Sequence, residues 1–304
     1  MKIGQDIDLP EIDDGGNITK MNEIVAIQGI KGSFHYQTAE SYFGKDIEVL
    51  ECRTFDAVVK ALLKGDADWG VMAIENSIAG AILPNYALID RHNLHITGEH
   101  YMNIQHHLMA LEGQRLEDIT EVHSHYMALL QCKDFFHDYP DIRLVESPDT
   151  AEAARQIHLQ QLKGVAAIAS ASASELYGLP IIAESIQTIK RNATRFVVLR
   201  TTDAHLLKRD INKATLKFQV YDKSGSLATV LNVLRDYDMN MTKIQSLPVI
   251  ETPWKYAFFV DVVFDSYARY QQAMQLLDIM TEELKVLGEY ENRLNSESYS
   301  KSII

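Results

Sequence analysis

The sequence IVAIQGIKGSFH, residues 24–35, sets the pattern from which the fold of this chain can be predicted. It opens with an apolar run at 24–28, which has the length and composition of a short buried strand. A turn that contains Gly29 and Gly32 follows, and a helix-like stretch begins at Ser33. A strand that leads through a glycine turn into a helix is the first unit of an α/β domain.

The same alternation continues toward residue 200. Strand-like runs are predicted near 47–51, 69–74, 121–124, 142–146, 165–169 and 196–200. Helix-like stretches are predicted near 33–43, 55–64, 127–137 and 150–162. Gly65 stands where a C-terminal stop of the second helix is expected. Strands that alternate with helices predict a mostly parallel α/β sheet.

Length and composition limit the class of protein. The chain has 304 residues, enough for about two domains, and 46% of them are apolar, which supports a packed core. It carries 29 Lys and Arg against 42 Asp and Glu, a formal net charge of −13. That balance argues against a protein that coats nucleic acid, but it allows a local cationic pocket. Two cysteines, Cys52 and Cys132, are too few for a disulfide framework or a four-thiolate zinc site.

The sequence also bears on location. No apolar run approaches the roughly 20 residues of a membrane span, and the N-terminal residues lack the apolar centre of a signal peptide. We therefore expect a cytoplasmic protein with neither a membrane nor a nucleic acid as partner. Residues 1–22 are acidic, contain Pro10 and the pair Gly15-Gly16, and are predicted to be a flexible tail.

A polar stretch at 201–213 separates two patterns, and it divides the chain into a first domain at 23–202, a linker at 203–212, a second domain at 213–290 and a C-terminal tail at 291–304. The second domain is predicted to contain strand 215–221, helix 226–237, strands 240–246 and 256–263, helix 266–284 and strand 286–290. This order, βαββαβ, is that of a ferredoxin-like module, in which two helices cover one face of an antiparallel sheet.

The glycine turn has two interpretations. Gly29 and Gly32 can bring backbone N–H groups close to an anion at a helix N-terminus, or they can form a plain strand-to-helix turn. The dinucleotide fingerprint and the P-loop template both fail at this spacing.

The stretch 74–80 is equally open. Glu75, Asn76 and Ser77 lie at the C-terminal edge of a strand, which is where open α/β sheets bind ligands. The alternative is an ordinary helix start that Asn76 or Ser77 caps.

Asn192-Ala193-Thr194-Arg195-Phe196 leads into the last strand of the first domain. A threonine hydroxyl can donate a hydrogen bond to a leaving oxygen, and an arginine can form a two-pronged bond with a carboxylate. In the alternative, Thr194 and Phe196 face the core while Arg195 pairs with a surface acid.

The histidines and cysteines give little support for a metal. His123 and His125 have only His106 and His107 as nearby partners, and neither an HExxH motif nor a cysteine pair is present. Cys132 has helical spacing from Ala128 and is predicted to be a buried thiol.

Two motifs stand in the second domain. Ser224-Gly225-Ser226-Leu227 begins a helix, where a glycine turn can hold the carboxylate of an amino acid. Ile244-Gln245-Ser246-Leu247-Pro248 ends a strand. Helix capping by a serine and an edge-strand proline are the alternatives.

Taken together and in order, the motifs of the first domain resemble those of the prephenate dehydratase family. They are Gly29-x-x-Gly32-Ser33-Phe34, Ile74-Glu75-Asn76-Ser77-x-x-Gly80, Ser124-His125-x-x-Ala128-Leu129-x-Gln131-Cys132, Asp149-Thr150-Ala151-x-Ala153-Ala154, Ala166-Ala167-Ile168-Ala169-Ser170, Glu175-Leu176-Tyr177-Gly178-Leu179 and Asn192-x-Thr194-Arg195-Phe196. The resemblance covers about residues 24–199. The second domain resembles the ACT domain that follows in that family.

The resemblance implies a two-lobed catalytic domain, like a type II periplasmic binding protein, with the substrate between the lobes. The implied reaction removes carbon dioxide and water from prephenate and leaves phenylpyruvate, without cofactor or metal. Thr194 is the implied catalytic hydroxyl. The residues implied to bind substrate are Ser33, Glu75, Asn76, Ser77, Ser124, Thr150, Ala151, Ser170, Arg195 and Phe196, with Arg195 ambiguous between substrate contact and scaffolding.

The resemblance also implies control by L-phenylalanine through ACT domains of a homodimer or homotetramer. The implied effector residues are Gly225, Ser226, Leu227, Asn240, Gln245 and Ser246. Gln245 and Leu247 depart from the acid and the arginine of the family motif, so weaker inhibition is expected. His35 stands where relatives usually have serine, and it is expected to make carboxylate binding pH-sensitive.

Two other functions fit the sequence. Arogenate dehydratase performs the same chemistry on a substrate with an amino group in place of the keto oxygen. A non-catalytic amino-acid sensor would use the same cleft without turnover, and the presence of Thr194 argues against it.

Overall fold

A computed structural model describes residues 23–201, 211–249 and 252–294. The predicted tail at 1–22, most of the predicted linker and the last ten residues of the predicted C-terminal tail lie outside these ranges. Among the described helices, none is long and apolar enough to cross a membrane.

The first lobe is one sheet with helices packed against it. Its strands are β1 (Ile24–Gln28), β2 (Glu48–Cys52), β3 (Trp69–Asn76), β4 (Gly80–Ala81), β5 (His95–Asn103) and β11 (Ala193–Arg200). Its helices are α1 (Phe34–Phe43), α2 (Phe55–Lys64) and α3 (Leu83–Arg91). The strand order is β5-β11-β3-β1-β2, with β4 paired to β3.

Local sequence explains where two of these helices begin and end. The hydroxyl of Ser33 accepts a hydrogen bond from the backbone N–H of Tyr36 and caps α1. Thr54 caps α2 in the same way, and Gly65 ends α2 with φ at 76°, a left-handed conformation that favours glycine. The predicted stop of α2 is therefore confirmed.

The second lobe has its own five-stranded sheet, in the order β10-β6-β9-β7-β8. Its strands are β6 (His107–Ala110), β7 (Glu121–Ser124), β8 (Arg143–Glu146), β9 (Val165–Ala169) and β10 (Ile181–Ala183). Its helices are α4 (Tyr126–Gln131), α5 (Lys133–Phe136), α6 (Thr150–Gln160) and α7 (Ala171–Tyr177). The chain passes between the lobes twice, after β5 and before β11.

The second domain has the predicted order βαββαβ. Its elements are β12 (Lys213–Gln219), α8 (Ser226–Asp236), β13 (Asn240–Pro248), β14 (Tyr256–Val263), α9 (Tyr267–Met280) and β15 (Glu283–Tyr290). The two helices pack on an antiparallel sheet, and its core includes Leu216, Phe218, Val230, Val260 and Leu277.

The sheet of the second domain continues into that of the first lobe. β15 lies beside β5, with Gly288 opposite Ile96 in a parallel pairing. A Cβ atom on Gly288 would lie 2.1 Å from the carbonyl oxygen of Ile96, so only glycine allows this approach. The second domain also shares a hydrophobic cluster with the first lobe, to which it contributes Phe259, Leu287 and Tyr290.

The prediction of a mostly parallel sheet is wrong for the middle of the first lobe. β11 is antiparallel to both β3 and β5, because it returns from the second lobe and inserts between them. The helix predicted at 127–137 is divided at Cys132 into α4 and α5. β11 begins at Ala193, three residues earlier than predicted, so Thr194 lies within a paired strand.

Candidate active site

A cavity of about 660 Å³ lies between the two lobes. The first lobe contributes residues from the ends of β1, β3 and β11 and from α1, α2 and α3. The second lobe contributes residues from α4 and from the start of α6. Five residues from the sequence prediction line this cavity: Ser33, Asn76, Thr150, Thr194 and Phe196.

Thr194 is held at the cavity by Asn76, its neighbour on the adjacent strand. The amide nitrogen Nδ2 of Asn76 donates to Oγ1 of Thr194 at 2.9 Å. The amide oxygen of Asn76 accepts from the backbone N–H groups of Ile78 and Ala79, which fixes the direction of the amide. Because Thr194 Oγ1 accepts one hydrogen bond, its own hydrogen can be donated to a bound ligand.

This hydrogen-bond chain crosses from the first lobe to the second. Asn76 Nδ2 also donates to Oδ1 of Asn192 at 2.6 Å, and Asn192 Nδ2 donates to Oε1 of Gln131 at 2.9 Å. The same Gln131 oxygen lies 2.9 Å from Nε2 of His106, which must therefore carry a hydrogen. The backbone donors at Ile78 and Ala79 thus set the direction of every hydrogen bond in the chain.

His106 is held neutral with a free acceptor. Burial lowers the pKa of its imidazole to about 4, and the side chain is 3% exposed. Since Nε2 carries the hydrogen, Nδ1 is a bare lone pair. Nδ1 has no hydrogen-bond partner among the described residues. A buried acceptor without a partner costs free energy.

His35 lines the same cavity as a second neutral imidazole. Its Nε2 accepts from the backbone N–H of Ala73 at 3.2 Å, and the ring packs against Phe55 and Phe196. Burial lowers the pKa of His35 to about 3. This lowered pKa argues against the expectation that His35 makes carboxylate binding pH-sensitive, and that expectation stays a prediction.

Two side chains of opposite charge line the cavity. Arg53 is a cation that lines the cavity. Asp149, the N-cap of α6, also lines it, and its carboxylate accepts from the N–H groups of Ala151 and Glu152. Burial raises the pKa of Asp149. Gly29 makes room for this carboxylate, since a Cβ there would lie 3.0 Å from Asp149 Oδ2.

Four predicted substrate-binding residues use their polar groups within the protein and do not line the cavity. Ser124 Oγ donates to the carbonyl of Ile168 at 2.6 Å, and Ser170 Oγ donates to the carbonyl of Gly32 at 2.8 Å. Ser77 Oγ accepts from the N–H of Ala193 at 2.9 Å, and the N–H of Ala151 is used by Asp149. A substrate contact from each of them stays a prediction.

Glu75 and Arg195 also lie outside the cavity lining. Arg195 is 4% exposed, and its guanidinium contacts Glu99, Asp261 and Tyr290. Glu75 pairs with Lys243 at 3.0 Å. Of the two roles left open for Arg195, this placement supports scaffolding.

Sequence reasoning missed Arg53 and assigned no role to His106, Gln131 and Asn192. Gln131 and Asn192 stand within motifs that were recognised, so their positions in those motifs were the available signal. Arg53 follows a strand and precedes a helix, and nothing in its local pattern distinguishes it from a surface cation. Among the described residues, no cluster of three or more His, Cys, Asp or Glu could hold a metal. Cys132 is buried, and burial raises its pKa to about 12, in agreement with a core thiol.

The second domain has a separate cavity of about 530 Å³ between α8 and β13. Asn240 lines it, together with Leu231, Arg235 and Met241. The other predicted effector residues, Gly225, Ser226, Leu227, Gln245 and Ser246, are not in its lining. Their contact with an effector stays a prediction.

Known proteins are similar to this chain in sequence and in architecture. The family model described as prephenate dehydratase matches residues 25–204, and the ACT domain model matches residues 214–266. An Arabidopsis thaliana protein named arogenate dehydratase/prephenate dehydratase 2, chloroplastic, is 35% identical over 278 residues, which are 88% of this chain and 72% of that protein.

Solved structures are also similar. One, described as GqqA, a novel type of quorum quenching acylase, has a TM-score of 0.79 at 29% identity and covers 88% of this chain and 98% of its own. Another is a prephenate dehydratase from Arthrobacter aurescens in complex with L-Phe. It has a TM-score of 0.78 at 23% identity over 92% of this chain and 96% of its own, which shows the fold. The chain therefore belongs to the prephenate dehydratase family of lyases, with a two-lobed catalytic domain followed by an ACT domain.

Proposed function

We propose that this protein converts prephenate to phenylpyruvate, with release of carbon dioxide and water. The observation that carries the proposal is the Thr194 hydroxyl, which Asn76 holds at the cavity between the lobes with its hydrogen available. The relative from Arabidopsis, whose name includes prephenate dehydratase, supports the same reaction.

In the reaction the bond from the ring to its carboxyl group breaks, and the electron pair enters the ring as the carbon–oxygen bond to the hydroxyl breaks. The hydroxyl takes up a proton that comes from the solvent and leaves as water. Thr194 donates a hydrogen bond to the departing oxygen, where negative charge develops. A fixed donor of this kind stabilises the transition state more than the ground state.

The two carboxylates of prephenate need donors elsewhere in the cavity. Arg53 supplies a positive charge, and Thr150 supplies a hydroxyl. Ser33 lies at the N-terminal end of α1, where the helix dipole favours an anion. Apolar contacts from Phe55 and Phe196 reduce hydration at the ring. Poor hydration of the ring carboxylate favours its loss as carbon dioxide. The reaction gains an aromatic ring and needs no cofactor.

The test is phenylpyruvate formation by wild type, Thr194→Val and Thr194→Ser, with an enzyme-free blank because prephenate decomposes in acid. Val keeps the shape and removes the hydroxyl, so kcat should fall by about 10²–10⁴-fold. Ser keeps the hydroxyl and should retain most of the activity. Equal turnover in wild type and Thr194→Val would refute the role of the hydroxyl.

The same assay separates the alternatives. Turnover of arogenate but not of prephenate would assign the substrate with the amino group. Ligand binding without turnover of either substrate would indicate a sensor. Because one structural neighbour is described as an acylase, acyl hydrolysis should be measured as well, and that activity without phenylpyruvate formation would overturn the proposal.

The proposal extends to control by L-phenylalanine and to a homo-oligomer. The cavity lined by Asn240 lies beside β13, and the L-Phe complex of the Arthrobacter aurescens enzyme supports an amino-acid effector. β13 is at the edge of its sheet, so a second copy can pair with it. Calorimetric titration with L-phenylalanine should give heat and inhibition, and sedimentation should give at least a dimer. No heat and no inhibition would refute the effector, and a monomer would refute the oligomer.

We place the reaction in the cytoplasm, as the sequence predicts. The Arabidopsis relative is named as chloroplastic, so cell fractionation is the appropriate test.

A further inference from the structure

Two adjacent strands carry the catalytic hydroxyl on one face and charged groups on the other. In the pairing of β11 with β3, Thr194 lies opposite Asn76 and Arg195 lies opposite Glu75. Successive side chains of a strand point to opposite faces of the sheet. The pair Thr194 and Asn76 therefore faces the cavity, and the pair Arg195 and Glu75 faces the ACT domain.

An irregularity in the pairing of β11 with β3 maintains the division between the face toward the cavity and the face toward the ACT domain. The pairing shifts between Arg195 and Phe196, so that Phe196 lies opposite Ala73 and Ile74 is left as the extra residue. Ala73 and Phe196 both line the cavity, whereas Ile74 packs in the cluster shared with the ACT domain. Bulges next to active sites commonly re-aim side chains in this way.

Residues of the ACT domain contact both members of the charged pair. The guanidinium of Arg195 pairs with Asp261 of β14 and donates to the hydroxyl of Tyr290 of β15 at 2.8 Å. The carboxylate of Glu75 lies 3.0 Å from Nζ of Lys243, which is on β13. Three strands of the ACT domain therefore contact the pair Arg195 and Glu75, which is adjacent in the strand pairing to Thr194 and Asn76.

Lys243 is built into this contact. Its side chain is 10% exposed, and its Nζ lies 4.7 Å from the centre of the Tyr86 ring, a cation–π distance. Burial lowers the pKa of Lys243, and Glu75 opposes that effect. The surrounding charges balance by formal count, with three positive and three negative groups: Arg195, Lys213, Lys243, Glu75, Glu99 and Asp261.

We propose that Lys243 of the ACT domain is a positioning residue for the reaction. By holding Glu75, it fixes the position of the next residue of β3, Asn76, which presents Thr194 to the substrate. The inference rests on the proposed function, because Thr194 is its endpoint. Lys243 lies on the same strand as Asn240, which lines the second cavity.

The test compares two neutral variants of lysines that both bridge the domains. Lys243→Gln removes the contact with Glu75. Lys285→Gln is the matched control, because Lys285 of β15 also reaches the catalytic domain but contacts Asp90 and Asn93 at 2.7–2.8 Å, away from Thr194. Thermal unfolding and circular dichroism establish that both variants fold.

We expect Lys243→Gln to lower kcat by about 10- to 100-fold with little change in KM, since a misplacement of a reacting group by about 1 Å can cost about 100-fold. Lys285→Gln should keep the wild-type kcat, and Lys243→Arg, which keeps the charge, should be closer to wild type than Lys243→Gln. In a double variant with Glu75→Gln, the two losses in kcat should not multiply.

Hydrogen exchange provides a readout that does not depend on the substrate. Amides of 193–196 and of 74–77 should exchange faster in Lys243→Gln than in wild type or Lys285→Gln. Wild-type kcat and exchange in Lys243→Gln, or equal losses in both lysine variants, would overturn the inference. A wild-type protein without turnover would refute the proposed function, and the exchange data would still decide the structural link.

Discussion

His35 should make folding of this protein sensitive to acid, and the size of the effect can be worked out. The imidazole is buried, packs against two aromatic rings and accepts a hydrogen bond from the N–H of Ala73. Its pKa is lowered from 6.5 to about 3. In the unfolded chain the ring takes up a proton as the pH falls through 6.5, whereas the folded protein keeps it neutral until about pH 3.

The direction of the stability change follows from this difference between the folded and unfolded pKa of His35. Because the folded pKa is the lower one, the stabilisation is present above pH 6.5 and is lost as the pH falls toward the folded value. The loss is about 1.4 kcal/mol for each pH unit in that window. Between pH 7 and pH 5, His35 should therefore remove about 2 kcal/mol from the free energy of unfolding.

The variant His35→Gln isolates this contribution, because the glutamine oxygen can accept from Ala73 but does not titrate. Urea unfolding of both proteins at pH 7 and pH 5 gives two losses, and the variant should lose about 2 kcal/mol less than wild type. All other titrating groups are common to both proteins and cancel. Equal losses in the two proteins, or an NMR titration of His35 with a midpoint above pH 5, would contradict the lowered pKa of the buried imidazole.

Three other perturbations follow from the structure. Asp261→Ala removes one of the two buried carboxylates that pair with the guanidinium of Arg195. It should lower the free energy of unfolding by about 3–5 kcal/mol in urea titrations, and a loss below about 1 kcal/mol would be the contrary result. Gly288→Ala places a Cβ 2.1 Å from the carbonyl oxygen of Ile96, so it should separate β15 from β5 and lower the melting temperature measured by calorimetry. An unchanged melting temperature would show that the two strands can accommodate the methyl group. His106→Gln can still donate to Gln131 and should retain a higher kcat/KM for prephenate than His106→Ala, and equal values would show that the hydrogen-bond chain does not matter for turnover.

Several elements could be predicted because their causes are local. Ser33 and Gly65 mark helix ends through a capping hydroxyl and a left-handed turn, each within a few residues of the helix concerned. The βαββαβ order of the second domain follows from the spacing of its apolar residues. The ordered motifs placed Thr194, Asn76 and Ser33 in one site, and the structure brings these three residues to one cavity.

The antiparallel position of β11 could not be predicted in the same way. A strand of apolar residues fits either direction in a sheet, and the choice depends on where the chain returns from the second lobe. The helix predicted at 127–137 shows a similar limit, because its apolar spacing does not reveal the division at Cys132, which is buried in the core of the second lobe.

The family and the βαββαβ order of the second domain follow from the sequence alone, because both depend on residue type and local spacing. Which side chains line the cavity between the lobes depends on the tertiary structure. Thr194 and Arg195 are neighbours in the chain, yet one lines the cavity and the other lies among Glu99, Asp261 and Tyr290. Strand alternation sends them to opposite faces, and their partners lie 66 to 118 residues away in the chain, so only folding brings them together.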